Sequence, residues 1–171
     1  MRESIEVRQV REDDLDAVLA VQAACYPPVM QEAREVVLAR MRAAGGTSLV
    51  AVVGGVVQGY VFAYRSVLGA VTPLGAEFAV AAAGDTLYIH DLSVAPAAAG
   101  CGLARGLVER LRALACAQGL AHCALVSVQD SLAFWERMGF RAAVCEGDEA
   151  RLALASYPPV AVYMRSGVAG A

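Results

Sequence analysis

The most distinctive chemistry in this sequence lies where a stretch of small residues runs into an amphipathic segment, VAPAAAGCGLARGLVERL, Val94 to Leu111. Two closely spaced glycines, Gly100 and Gly102, stand where a helix is predicted to begin. A glycine inside a helix costs about 1 kcal/mol relative to alanine, so these two more readily allow backbone amides to approach a ligand. Amides at the start of a helix are unpaired and lie at the positive end of its dipole. The pattern therefore predicts a phosphate-binding loop.

Two other interpretations of this loop remain open from the residues alone. The small residues also suit a tight strand-to-helix turn that only permits close packing. A dinucleotide-binding fold is the third interpretation, but the preceding strand is not at the chain start and no acidic residue ends the next strand about 20 residues on. If the loop does bind phosphate, Arg105 in the first helical turn would add a charge-assisted contact.

The composition describes an ordinary folded domain without a general affinity for polyanions. The 171 residues are 58% hydrophobic and 18% charged, which argues against disorder and predicts a single domain, with a core from about residue 5 to 165 and a short flexible tail over 166–171. The net charge of −3 argues against nucleic-acid and membrane partners. Five cysteines form no CxxC pair and two histidines complete no metal-ligand spacing, so we expect no metal and a reducing, cytoplasmic compartment.

An uncharged run over residues 43–64 is long enough to span a bilayer. Five glycines interrupt it, and the pair Gly54-Gly55 between two β-branched runs is typical of a two-residue hairpin turn. We therefore interpret this run as two paired strands.

The rest of the sequence alternates predicted strands and helices. A strand near residues 5–8 precedes two helices, and after the hairpin a glycine- and alanine-rich loop covers residues 67–84. The strand DTLYIHDLSV, a helix from about Gly102 to Gln118 and the strand AHCALVSV follow, an order that predicts parallel pairing of the two strands. A short helix over DSLAFWERMGF and two last strands, RAAVCE and VAVYMRS, complete the prediction.

Two motifs in this order resemble the GCN5-related N-acetyltransferase superfamily. The family pattern V-x-P-x-x-[RQ]-G-x-G-x-[GA] falls on Val94 to Ala104, and its aromatic pair before GF falls on Phe134 and Trp135 in SLAFWERMGF. The resemblance spans most of residues 5–165 and is strongest over 86–140. It implies an α/β (α+β) fold with a mixed, mostly antiparallel twisted sheet of six to seven strands, splayed between the fourth and fifth strands and flanked by about four helices.

The resemblance implies acetyl-CoA as cosubstrate. Backbone groups of the fourth strand would hold the pantetheine arm, amides of the glycine loop the pyrophosphate, and the later helix would pack near the thioester arm. Arg137 would reach the ribose phosphate, or it is a solvated helix charge. The implied coenzyme residues are Leu92, Ser93, Val94, Ala99, Gly100, Cys101, Gly102, Leu103, Ala104, Arg105, Ser131, Phe134, Trp135 and Arg137.

Two positions depart from the family pattern. Ala99 stands where arginine or glutamine is usual, which removes one side-chain contact and lowers the expected coenzyme affinity, while the main-chain donors remain. Trp135 stands where many relatives have a tyrosine that protonates the leaving thiolate, and an indole is no proton source at neutral pH. Another tyrosine, water or bulk solvent would then supply the proton, and Trp135 alternatively is a core aromatic that packs the helix.

Acetyl transfer to an amine also requires a base, because a protonated alkylamine has a pKa of about 10. Alternation in LYIHDLSV predicts that Tyr88, His90, Leu92 and Val94 share one face of the strand and that Asp91 lies on the other. Relatives often have glutamate at the position of His90, and the arylalkylamine N-acetyltransferases have histidine. The resemblance therefore suggests His90 as general base, with a satisfied core histidine as the alternative.

The remaining candidates lie near this strand or in two YPPV segments. Tyr88 would position the substrate, and Tyr163 is a candidate acid. Tyr26, Pro27 and Tyr157 belong to the YPPV segments, which in the family flank the acceptor pocket and suit an aryl or alkyl amine. The hypothesis is an acetyl-CoA-dependent N-acetyltransferase of a small-molecule primary amine, acting as a monomer or homodimer. A protein N-terminal acetyltransferase and a noncatalytic acyl-CoA-binding module are the alternatives.

Overall fold

A computed structural model describes residues 4–169, which form seven strands and five α-helices. The strands are β1 (Ile5–Gln9), β2 (Leu49–Val53), β3 (Val56–Ser66), β4 (Thr86–Val94), β5 (His122–Ser127), β6 (Arg141–Ala142) and β7 (Val162–Gly167). The helices are α1 (Leu15–Cys25), α2 (Arg34–Ala44), α3 (Leu103–Ala117), α4 (Leu132–Arg137) and α5 (Gly147–Ala155).

The strands form one sheet in the order β1-β2-β3-β4-β5-β7-β6, and only the neighbours β4 and β5 are parallel. These two strands pair from Thr86 with His122 to Ile89 with Leu125, and beyond Ile89 strand β4 continues to Val94 without a partner on the β5 side. The predicted mixed, mostly antiparallel sheet and its splay between the fourth and fifth strands are confirmed.

Side-chain alternation along β3 builds a separate core on each face of the sheet. Tyr60, Phe62 and Tyr64 face α1, α2 and α5, whereas Val61 and Ala63 face α3 and α4. Helix α3 packs on its face through apolar residues three and four positions apart. These residues are Leu103, Leu107, Val108, Leu111 and Ala115. The sheet is therefore covered by helices on both sides, and its central strands are buried.

The uncharged run over residues 43–64 forms the end of α2 and the hairpin of β2 and β3. Gly54 and Gly55 make the turn with φ angles of 57° and 83°, the positive values that a tight two-residue hairpin requires. The predicted hairpin is confirmed. Among the residues the structure describes, none of the helices has both the length and the apolar character needed to cross a membrane.

The C-terminal part of the chain differs from the sequence-based prediction in three ways. The predicted strand over 141–146 shortens to the two residues of β6, because Gly147, with φ 86°, turns the chain into α5, a helix that the sequence analysis does not predict. Strand β7 continues past residue 165 and pairs Ser166 with Cys123 and Gly167 with His122, so the flexible tail is wrong for these two residues. The last residues of that predicted tail, 170 and 171, lie outside the described residues.

A β-bulge in β4 determines the direction of the side chains near the splay. Across the β3–β4 ladder Phe62 pairs with Asp91 and Ala63 pairs with Ile89, so His90 is an extra residue with no partner on β3. A bulge places two successive side chains on the same side of the sheet and shifts the alternation beyond them.

The bulge overturns the predicted distribution of β4 side chains between the two faces. Tyr88 packs in the core below α1 and α2, but Leu92 and Val94 pack against the α3 core on the opposite face. Asp91 accepts a hydrogen bond from Tyr60, whose ring lies on the α1 and α2 face. The prediction that Leu92 and Val94 share the face of Tyr88 is therefore wrong, as is the opposite placement of Asp91.

Candidate active site

The separation of β4 and β5 opens a cavity of about 400 Å³, here called the groove. Its walls are the end of α1, the two diverging strands and the beginning of α4. Six of the predicted coenzyme residues line it: Leu92, Ser93, Val94, Ser131, Phe134 and Trp135. The groove therefore brings together the β4 and α4 halves of the site implied by the sequence.

The predicted phosphate loop leads from the end of β4 into α3. Gly100 and Gly102 have φ angles of 78° and 80°, and a Cβ built on either glycine meets no atom within 4 Å. Within residues 4–169 the amides from Gly100 to Arg105 have no backbone acceptor, and the first helical bond runs from Gly106 N to Gly102 O at 3.0 Å. These unpaired donors stand at the positive end of a 15-residue helix, so the loop fits a pyrophosphate.

The two arginines predicted near phosphates do not line the groove. Arg105 Nε donates a hydrogen bond to Glu109 Oε1 at 2.7 Å along the exposed side of α3. Arg137 is exposed in the last turn of α4. A phosphate at the loop would therefore be held by the main chain, as the absence of a long side chain at Ala99 also requires.

The imidazole of His90 is buried among groups from three other segments, and its side chain is only 3% exposed. Its Nε2 lies 3.3 Å from Glu32 Oε1, and its Nδ1 lies 3.4 Å from the hydroxyl of Tyr157. The ring of Phe78 approaches edge-on, with 5.4 Å between ring centres. The structure thus brings Tyr157, predicted as a substrate residue, beside the predicted base.

The environment of His90 favours its neutral form. Burial, followed by the positive charge of Arg40, lowers the pKa of His90 to about 3, while Asp91 acts in the opposite direction. Burial also raises the pKa of the Tyr157 hydroxyl, so both partners are uncharged at neutral pH. His90 therefore holds a free lone pair at cellular pH but binds a proton weakly.

Glu32 is a central residue of this site that the sequence analysis does not identify. Its carboxylate forms an ion pair with Arg40 and accepts a hydrogen bond from Gly75 N at 2.9 Å. Its backbone is clamped by the buried side chain of Gln22, which donates to Glu32 O at 3.1 Å and accepts from Glu32 N at 3.2 Å. The segment between α1 and α2 is thereby fixed beside β4.

The position of Arg40 in the sequence, unlike that of Glu32, indicates that the residue is buried. It lies on the buried stripe of α2 together with Val37, Met41 and Ala44, and its side chain is fully buried. A charged residue at an apolar position of a helical repeat indicates a buried charge that needs a partner. No comparable pattern marks Glu32, which stands alone in a short connection.

Asp91 is, with Asp130, an acidic residue of the groove wall. Its carboxylate accepts hydrogen bonds from the hydroxyls of Tyr26 at 2.7 Å, Tyr60 at 2.6 Å and Ser93 at 3.3 Å. Next to it lies a second cavity of about 20 Å³, here called the inner cavity, which joins the two YPPV segments to β4. The inner cavity is lined by Tyr26, Met30, Glu32, Leu74, His90, Asp91, Val128 and Tyr157.

Three predicted site residues have other positions. Pro27 lines neither cavity, and Tyr88 and Tyr163 are buried in the core and line neither cavity. The hydroxyl of Tyr163 accepts a hydrogen bond from Gly69 N at 2.9 Å, and that of Tyr88 has no hydrogen-bond partner among residues 4–169. The structure therefore does not bring the predicted tyrosine acid or the predicted positioning tyrosine to the groove.

Trp135 both packs in the core and lines the groove. It lines the groove, and its ring packs edge-on against Phe134 and Phe140, with ring centres 4.9 Å and 5.3 Å apart. Within the part of the chain that the structure describes, no cluster of three or more His, Cys, Asp or Glu side chains could hold a metal ion.

Solved structures of similar fold cover nearly the whole chain. The GphF GNAT-like decarboxylase in complex with isobutyryl-CoA has a TM-score of 0.78 at 20% identity, over 95% of this chain and 99% of that chain. The ribosomal-protein-S18-alanine N-acetyltransferase from Escherichia coli has 0.70 at 16% identity, over 98% and 96%. Naa50 from Arabidopsis thaliana, in complex with a bisubstrate analogue, has 0.68 at 14% identity, over 95% and 98%.

At these identities the structural similarity establishes the fold alone. A search of curated proteins finds no match to the chain. The sequence model of the acetyltransferase (GNAT) family, however, matches residues 15–140, a range that includes the phosphate loop, the groove and the aromatic pair of α4. The chain therefore belongs to the acetyltransferase (GNAT) family.

Proposed function

We propose that this chain transfers an acetyl group from acetyl-CoA to the primary amine of a small molecule. The observation that carries the proposal is the run of unpaired amides from Gly100 to Arg105, which follows directly on the strand whose separation forms the groove. These amides would hold the pyrophosphate. The main chain of β4 beyond Ile89, free on the β5 side, would pair with the amides of the pantetheine arm, and the bound coenzyme supplies the acetyl thioester.

The inner cavity supports a compact, positively charged acceptor. A volume of about 20 Å³ is close to the space that one water occupies, so without displacement of side chains the inner cavity holds no more than the ammonium end of a short alkylamine, and an aryl group does not fit. The carboxylate of Asp91 contributes to its lining and would attract an ammonium group. The similarity to the arylalkylamine branch stays a prediction, and the size of this cavity does not favour it.

One proton of the amine would leave through Tyr157 and His90. The acceptor would lose its first proton to solvent, because an ammonium group is a far weaker acid than a protonated His90, whose pKa is lowered to about 3. The neutral amine nitrogen then forms a bond to the thioester carbon as the carbon–sulfur bond breaks, which makes the second proton on this nitrogen much more acidic. Tyr157 lines the inner cavity, and its hydroxyl lies 3.4 Å from His90 Nδ1, so the hydroxyl can receive this second proton while it passes its own to the imidazole. CoA leaves as a thiolate that solvent protonates, because Trp135 has no acidic proton at neutral pH. His90 thus acts as the base of the proposal.

The experiment is an assay of free thiol with acetyl-CoA and three groups of acceptors: short alkylamines, arylalkylamines and peptides with free N-termini. We expect saturable turnover with short alkylamines. Turnover confined to peptides would overturn the small-molecule acceptor in favour of protein N-termini. Saturable acetyl-CoA binding without turnover on any amine would leave the noncatalytic acyl-CoA-binding module, and a chain that does not bind acetyl-CoA would refute the proposal entirely.

A further inference from the structure

We infer that Glu32 is a positioning residue for the proposed reaction, which holds His90 in the tautomer that carries its proton on Nε2 and directs the lone pair of Nδ1 toward Tyr157. This inference rests on the proposed function for its catalytic consequence. The tautomer itself follows from the geometry of the buried cluster and is measurable without any reaction.

The first step is that Glu32 is ionised. Its side chain is 5% exposed and is paired with the fully buried guanidinium of Arg40. That guanidinium also donates to Ala76 O at 3.0 Å and lies 4.9 Å from the ring centre of Phe78. A guanidinium keeps its proton in proteins, and a buried charge of this kind is tolerated only beside an opposite charge. The carboxylate of Glu32 is therefore the counter-charge of Arg40.

The second step is that an ionised carboxylate can only accept hydrogen bonds. Glu32 Oε1 accepts one from Gly75 N at 2.9 Å and faces His90 Nε2 at 3.3 Å. A bare Nε2 would place a lone pair against the carboxylate oxygen, which is repulsive. Nε2 therefore carries the imidazole proton, and the donor and acceptor of this pair are matched.

The third step concerns the opposite side of the ring. With Nε2 protonated, Nδ1 is an acceptor, and the group that faces it is the Tyr157 hydroxyl at 3.4 Å. In the resting protein this hydroxyl donates to Thr72 O at 2.8 Å. Rotation about its C–O bond turns the same proton toward Nδ1, so the order carboxylate, imidazole, hydroxyl has the polarity of a proton-transfer relay.

Glu32 also decides how well the imidazole can hold a transferred proton. The titratable and charged groups around His90 are Arg40 from α2, Asp91 and Tyr88 from β4, Tyr157 after α5, and Glu32 itself. The positive charge of Arg40 already opposes a protonated His90, and without Glu32 no carboxylate beside Nε2 offsets that charge. Loss of the carboxylate is therefore expected to slow proton transfer and to leave coenzyme binding unchanged, because Glu32 does not line the groove.

The first test is nitrogen-15 NMR of the imidazole groups in the wild-type protein without any ligand. The chain has two histidines, so His122→Gln assigns both spectra. We expect the Nε2-protonated tautomer for His90 at neutral pH. An Nδ1-protonated ring, or rapid exchange between the two forms, would overturn the inference, whatever the outcome of the amine assay.

The second test compares Glu32→Gln with Glu35→Gln, which removes an exposed carboxylate from the first turn of α2. We expect Glu32→Gln to lower kcat about 100-fold, at the low end of what a positioned base contributes, with the KM for acetyl-CoA unchanged. Glu32→Asp, which keeps the charge, should recover part of the loss. Equal kcat values for Glu32→Gln and Glu35→Gln would overturn the positioning role.

A third variant addresses folding, since Glu32→Gln leaves Arg40 buried without a counter-charge. Glu32→Gln/Arg40→Met removes both charges and preserves most of the volume. If Glu32→Gln does not fold, this double variant is expected to fold with the same loss of kcat. A folded double variant with wild-type kcat would show that the ion pair serves packing alone and would overturn the inference.

Discussion

Replacing His90 by glutamine should remove a large part of the acid sensitivity of this fold. The pKa of His90 is lowered to about 3 from 6.5, the value expected in the unfolded chain. Between these two pH values the unfolded state binds a proton that the folded state does not, so the free energy of unfolding falls as the pH falls below 6.5. At 1.36 kcal/mol per pKa unit, the loss is about 2 kcal/mol at pH 5 and approaches about 5 kcal/mol below pH 3.

The assay is urea unfolding at pH 7 and pH 5 of the wild type, His90→Gln and His122→Gln. The carboxylates that do not contact residue 90 titrate alike in all three proteins, so the comparison is the change in the free energy of unfolding between the two pH values. We expect wild type and His122→Gln, which alters a half-exposed ring, to lose about 2 kcal/mol more than His90→Gln. Equal losses in all three proteins would refute a buried neutral imidazole. Should His90→Gln not fold, the imidazole NMR spectrum of the wild type can test the same point. We then expect His90 to stay unprotonated from pH 8 to pH 5, and protonation in this range would refute the buried neutral imidazole.

Further predictions concern the loop, the groove wall and the core. Gly102→Ala and Gly119→Ala place a side chain at φ angles of 80° and 70° at opposite ends of α3; both should lose about 1 kcal/mol in urea unfolding, and only Gly102→Ala should weaken acetyl-CoA binding in calorimetry. Trp135→Tyr should raise kcat in the thiol assay if protonation of the leaving thiolate limits turnover; an unchanged kcat would place the slow step elsewhere. Tyr163→Phe removes the acceptor of Gly69 N and should cost about 1 kcal/mol of stability with kcat unchanged, whereas a large fall in kcat would restore this tyrosine as the acid.

The sequence predicted those elements whose signals are local. The glycine pair of the β2–β3 hairpin and the strand, glycine loop and helix of β4 and α3 carry their turn residues and apolar periodicity within short windows, so their type and order are confirmed. The sequence does not indicate helix α5, because GDEARLALA is short, begins at a glycine and follows a strand of two residues. Its position is fixed by packing on the sheet, through Ala150 and Ala153.

The errors at the site have a common physical cause. The bulge at His90 is a feature of the pairing between β3 and β4, whereas the prediction for β4 assumes regular alternation along the strand. Asp91 was therefore placed on the wrong face. Glu32 lies 58 residues from His90 in the chain, and its burial depends on Arg40 and Gln22, so no local pattern indicates it. Single-sequence reasoning identifies a loop whose turn residues are adjacent in the chain better than a cluster assembled from distant segments.

The short contact between β4 and β5 has a mechanical consequence. Strands β1 to β4 and strands β5, β7 and β6 are joined within the sheet by only four residue pairs, and past Ile89 the two halves diverge. An extended molecule that filled this gap would contact both halves of the sheet and restrain their motion relative to each other. Amide hydrogen exchange in β4 and β5 should then slow together when coenzyme is added. Proteolysis of the chain near the gap between these two strands should also be slower with coenzyme than without it.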